Sequence, residues 1–176
     1  MSNKQALREL QQRLAQRMRA AREQPQTASW LAVEVGGVPL LFSLRQAAEI
    51  FTPVPLKTVP YTQPWLLGVA NLRGGLHTVV DLAAFLGLRE ANAAPRGEGA
   101  RLVTINPDLN INCALLVDKL IGLRGDAQLQ QGEAGEPPAG RPRFAGTQWR
   151  DQDGRRWQAL DLEALAKHEQ FLRIVA

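Results

Sequence analysis

From Trp30 onward the apolar positions recur with a period of two. Leu31, Val33 and Val35 alternate with Trp30, Ala32 and Glu34, Gly36-Gly37 supplies a hairpin turn, and residues 38–44 return. The most apolar long window is 64–88, PWLLGVANLRGGLHTVVDLAAFLGL. Leu66, Leu67, Val69 and Leu72 precede Arg73, while Leu76, Val79 and Val80 follow Gly74-Gly75. This pattern predicts two buried strands around a tight turn, closed by Asp81, then a helical turn over 82–86 with Gly87 as its stop. An arginine inside such a run is expected to be buried and to demand a fixed carboxylate, because an unpaired buried charge is costly.

The remaining pattern fills in around that window. Residues 45–50 carry one carboxylate, Glu49, between Ala47, Ala48 and Ile50, and 51–61 hold three prolines, so an extended crossing segment is expected. Residues 89–100 read as a polar loop. Strands are predicted over 101–106 and 111–117, across a Pro107-Asp108 turn, with 120–123 continuing beyond Asp118. The Gly/Pro/Gln-rich stretch 125–143 reads as a long surface loop. Two last strands (144–149 and 156–160) flank Asp153-Gly154. A closing amphipathic helix over 160–174 is expected, capped by Asp161, with Leu162, Leu165, Phe171 and Leu172 inward. Two blocks, 30–88 and 101–160, each open with strand, turn and strand and then place an acid, Glu49 or Asp118, in an apolar setting. A mainly β chain of two linked small barrels follows, with a helix at each end.

The N-terminal segment differs in period and charge. Leu7, Leu10, Leu14, Met18 and Ala21 form a narrow stripe on a helix over 3–23, which Pro25 ends. Residues 1–26 are thus a basic helix and linker, and 27–176 the folded body. Three fates fit the helix: packing on the body, a helix-in-groove or coiled-coil contact through Leu7, Leu10, Leu14 and Met18, or an anionic membrane surface. The net charge of +4 resides here, since residues 1–24 hold six basic and two acidic groups and the rest of the chain fifteen of each. A body without basic excess argues against a nucleic-acid-binding domain. A membrane-surface or nucleic-acid binder working through residues 1–24 is the alternative class.

Catalytic and cofactor chemistry finds little support. His77 and His168 belong to no metal-ligand spacing, and neither Ser29 nor Ser43 has a histidine in its strand-turn unit. His77 is expected to be hydrogen-bonded and structural, His168 solvated. Phosphate-cradling glycine motifs are absent. Cys113 sits in an apolar strand pattern and reads as a core-filling thiol. No window has the eighteen or so uninterrupted apolar residues of a membrane span, and no signal-peptide core precedes the helix, so neither an integral membrane segment nor a leader is expected. No cofactor and no enzyme activity are expected; a protein-binding module is.

Gly68, Asn71, Leu72, Arg73, Gly74, Asp81 and Leu82 together resemble the diagnostic segment of CheW-like domains. The likeness runs back to 48–50, forward to Leu115, Leu116, Val117 and Asp118, and on to Leu160, Asp161 and Leu162, covering about residues 28–174 in order. Thr78 stands where the family commonly has proline. The resemblance implies two five-stranded, SH3-like barrels and a non-enzymatic cytoplasmic adaptor at receptor arrays on the inner face of the membrane. Its implied partners are the tip of a methyl-accepting chemoreceptor and the regulatory domain of a CheA-type histidine kinase. The basic helix and the PWLLGVAN wording resemble the branch that serves type IV pilus twitching motility. Within this frame Arg73 is expected to pair with Glu49, either as a buried tie between strand units or as part of a contact. Ala47, Gly68, Asn71, Gly74 and Leu120 are the expected partner-facing residues.

Overall fold

The computed structural model describes residues 3–23, 30–91, 93, 97–132 and 142–176. A helix, α1 (Asn3–Glu23), precedes eleven strands: β1 (Trp30–Val35), β2 (Val38–Ser43), β3 (Ala47–Phe51), β4 (Leu66–Leu72), β5 (Gly75–Asp81), β6 (Arg101–Ile105), β7 (Cys113–Val117), β8 (Lys119–Arg124), β9 (Leu129–Gln131), β10 (Ala145–Asp151) and β11 (Arg156–Leu160). Short helices α2 (Leu82–Phe85), α3 (Leu162–Ala166) and α4 (Glu169–Leu172), with single 3-10 turns at Pro107–Leu109 and Asp126–Gln128, complete the described elements.

The strands form two sheets, in the orders β8-β1-β2-β11-β10-β9 and β3-β6-β7-β5-β4. These sheets do not follow the two sequence blocks. The chain begins one sheet with β1 and β2, leaves to build all of the other from β3 to β7, and re-enters at Asp118 as β8 beside β1. The run expected to continue past Asp118 in one strand therefore changes sheets there. Two parallel pairings, β2 with β11 and β5 with β7, close each sheet's topology across long connections.

The inner strands are covered on both faces, which explains why β7, buried at all five positions, shows no alternation. One apolar cluster lies inside the curl of the first sheet (Ala32, Leu41, Leu129, Trp157, Ala159) and one inside the second (Ala70, Leu72, Val79, Leu102, Ala114, Leu116). The largest lies between them, where Leu31, Val33 and Phe42 meet Val80, Val103 and Leu115. The short helices seal its end. Trp65 stacks on Phe171 with centroids 6.1 Å apart and meets Phe85 edge-on at 5.1 Å.

Three expectations about elements change. The closing helix is two short pieces, α3 and α4, broken at His168, and Leu172 is exposed rather than inward. Asp161 does cap the first piece, accepting from the Ala164 N–H at 3.1 Å. The stretch 125–143 is not all surface loop: β9 lies within it, its Leu129 is buried, and Asp126 accepts from the Trp30 indole at 3.1 Å. Packing of α1 on the body finds no support in its described side chains, those of 5, 6 and 8–16, which are all exposed, Leu10 and Leu14 among them. The side chains of Leu7 and Met18 lie outside the described residues.

Candidate functional site

Arg73 occupies the two-residue turn between β4 and β5, at φ +50 and followed by Gly74 at φ +78. Positive φ at both central positions is the turn geometry that matches strand twist, and Gly74 adopts it without the steric penalty that Arg73 bears. Asn71 holds the turn, its side-chain oxygen accepting the Gly74 N–H at 2.8 Å. The turn thus projects Arg73 outward.

Across the surface stands Glu49, on β3. A register shift between Ala47 and Ile50 takes its backbone out of the ladder, and Thr104 repairs the loss: the Glu49 N–H donates to Thr104 Oγ1 at 2.9 Å, and that hydroxyl donates to the Glu49 carbonyl at 3.3 Å. Arg73 Nη1 lies 3.1 Å from Glu49 Oε2. In a flat sheet the edge strands β3 and β4 would stand about 19 Å apart. The contact therefore exists because the sheet curls until its two ends meet, and the pair spans that seam.

The expected burial of this pair is overturned. The Arg73 side chain is 76% exposed and that of Glu49 44%. A reversing strand pair places its turn at the end of the sheet, so an arginine inside an apolar sequence window emerged into water. Around the pair, Ile50 and Leu76 are also exposed, the latter 65%, as are Asn71 and Gly74. A pinned charge pair between exposed aliphatic side chains has the composition of a protein-docking surface.

The other sequence-designated residues fall elsewhere. Ala47 is buried in the central cluster, and Leu120 packs half-buried against it. Gly68 is buried too, at a register shift in β4 with φ +142. A methyl group there would collide with the carbonyl of Lys57, whose N–H and C=O both bond to Val69, at 2.9 and 2.8 Å. Ala47 and Gly68 can reach a partner only through their neighbours. His77 is half-buried with Nδ1 3.0 Å from the Gly75 carbonyl. His168, expected in solvent, is half-buried edge-on against Phe144, 4.9 Å between centroids.

A second guanidinium, which the sequence pattern left in a polar loop, supplies the buried tie expected of Arg73. Arg89 reaches Asp81 at 2.8 Å and Asp118 at 2.6 Å, with Asp81 only 2% exposed. Asp118 also accepts the Gly36 N–H at 2.6 Å. The β1–β2 turn, the end of β5 and the crossing between sheets converge on this one cation. Gly36, at φ +56, comes so close to the Arg89 segment that a Cβ would stand 2.6 Å from that of Leu88. Burial by itself would lower the Arg89 pKa, but hydrogen bonds and charge from Asp81 and Asp118 outweigh it and hold the group above its ordinary value. The only trace in the sequence was the pair of acids closing apolar strands.

Among the described residues no group of three or more His, Cys, Asp or Glu side chains could hold a metal, and no helix is long and apolar enough to cross a membrane. The chain is 28% identical over 168 residues to Protein PilI of Pseudomonas aeruginosa, covering 92% of this chain and 88% of that protein. Over a shorter stretch of 66 residues it is 32% identical to a probable chemotaxis protein CheW of Rhizobium etli, covering 38% of this chain and 43% of the relative. The crystal structure of the scaffolding protein CheW from Thermoanaerobacter tengcongensis superposes with a TM-score of 0.63 at 16% identity, over 76% of this chain and 88% of the other, which shows a shared fold. The family described as CheW-like domain matches residues 29–170. The seam pair, the two curled sheets and the Asp-Leu strand ends all lie within that span, and the chain belongs to the CheW-like family.

Proposed function

We propose that this chain is a non-enzymatic adaptor that couples the tip of a methyl-accepting chemoreceptor to the regulatory domain of a CheA-type histidine kinase. The likeness to Protein PilI along nearly its whole length favours a pathway of type IV pilus twitching motility. Such an adaptor works in the cytoplasm, at receptor arrays on the inner face of the membrane. The observation that carries the reading is the exposed Glu49–Arg73 pair, pinned by Asn71 and Thr104 and bordered by Ile50 and Leu76. An exposed ion pair contributes about 0–1 kcal/mol to stability, so so much fixed geometry at the surface is better accounted for by recognition than by folding. A rigid charged centre between aliphatic groups selects a complementary protein face and fixes the register of docking.

The test compares the full chain, the chain lacking residues 1–26, and Arg73→Ala in co-purification with a CheA-type kinase and a receptor. Arg73→Ala should keep its melting temperature within the roughly 2–4 °C that 1 kcal/mol represents at this size and lose partner binding. Wild-type retention by Arg73→Ala removes the pair from the docking surface. Loss confined to the truncated chain, with steep salt dependence, moves the function to the basic helix.

A further inference from the structure

The outer face of the β9-β10-β11 edge carries a feature that folding does not need. Arg150 stands directly opposite Arg156 across β10 and β11, and opposite Gln130 across β9 and β10. Residues directly opposite share a face and lie within about 5.5 Å at Cβ, where like charges destabilise a sheet. Both arginines are exposed, and neither has an ion pair among the described residues. Arg155, one residue away, contrasts with them, resting over Trp157 at 4.7 Å and reaching Glu34 at 3.4 Å. Gln148 and Gln158 continue the face, and no carboxylate occupies it on the three strands.

These side chains border a depression of about 490 Å³ lined by Gln130, Gln131, Gln148, Trp149, Arg150 and Arg156. The volume falls in the range of sites that hold a ligand or a few side chains. Its outer wall is β9, the end strand of its sheet, which among the described residues pairs with no second strand and so offers an edge to an added one. Trp149 forms the base of the depression and turns its side chain to the opposite face, against the inner cluster, where its indole N–H is buried without an acceptor among the described residues.

We infer that this edge is a second docking site, which takes an extended, acidic peptide segment of a partner protein. The segment lies along β9, and its carboxylates accept forked hydrogen bonds from Arg150 and Arg156. Guanidinium forks match carboxylates, and the glutamine amides donate to peptide carbonyls. Charge complementarity selects this occupant over a nucleic acid, because beyond residue 24 the chain balances fifteen basic with fifteen acidic groups and offers no long basic track.

The experiment titrates the isotope-labelled full chain with a synthetic octapeptide alternating glutamate and threonine. The four tryptophan indole resonances are followed, for the wild type and for the double variant Arg150→Gln/Arg156→Gln. The Trp149 indole should shift in the wild type. The double variant should bind about tenfold more weakly and melt no lower than the wild type, because an opposed like-charge pair has been relieved. Equal binding by the variant overturns the site. A variant that melts several degrees lower makes the arginines structural and overturns it too. Competition by a single-stranded oligonucleotide or by phosphatidylglycerol vesicles as effective as the peptide itself shows a generic anion patch, and likewise overturns it.

Discussion

Arg73 shows how a residue's neighbours in sequence mislead about its neighbours in space. Its window is apolar because β4 and β5 are each buried, yet the residue sits where they reverse. Gly68 and Cys113 behave in the opposite way, with roles set by what packs on them. Gly68→Ala should destabilise the fold by roughly 1–3 kcal/mol through backbone strain and loss of the Lys57 bridge, and any loss of partner binding should track that destabilisation in thermal melts. A variant with unchanged melting that fails to bind would make Gly68 a contact after all. For Cys113, burial first of all pushes the thiol up to about 12, only partly offset by a hydrogen bond with Thr78. The nucleophile is the thiolate, so at pH 8 a disulfide reagent should leave the native protein unlabelled and modify one thiol in denaturant. Rapid native labelling would show that β7 opens readily.

At the scale of elements, local capping was legible and strand partnership was not. Asp161 caps α3 as its position suggested, and Asp81, expected only to close its strand, caps α2 in the same way. The β10–β11 hairpin is organised by Asp151, whose Oδ1 accepts the N–H groups of Asp153 and Arg155 at 3.0 and 2.9 Å, and whose Oδ2 accepts the Trp157 indole at 2.9 Å. The indole bond foremost, opposed by burial and aided by the backbone donors, holds the Asp151 carboxyl below the usual carboxylate range. A folded pKa below the unfolded value of about 3.9 stabilises the protein above that pH, and the contribution vanishes as pH falls through the folded value. Asp151→Asn should therefore lower the melting temperature at pH 7, with the gap to wild type closing below about pH 4. A gap that persists undiminished to pH 2 would assign the effect to something other than the charge. Missing from the sequence reading were β3 and β9, both short and without a clear apolar alternation, whose pairing comes from strands far along the chain.

The whole molecule turns on Arg89. It links the β1–β2 turn, the end of β5 and the crossing at Asp118, so it couples two sheets whose strands interleave along the chain. Arg89→Leu leaves Asp81 buried without that cation and should cost about 3 kcal/mol, in contrast to the small change from Arg73→Ala. Chemical denaturation of the two variants side by side checks this, and equal stabilities would refute the assignment of the tie to Arg89. Because the two sheets share one core, unfolding should remain a single transition.

The period of two, the glycine turns, the capping acids and the ordered motif blocks are local properties, set by backbone geometry and side-chain size within a few residues. They determined a mainly β chain with helical segments at its ends and pointed to its family. Which strands pair, which arginine enters the interior, and which residues of the motif face solvent depend on contacts between segments tens of residues apart. No local preference encodes these, because a charge is buried or exposed by the curl of the sheet it belongs to, and that curl exists only once strands far apart along the chain have packed around the shared core.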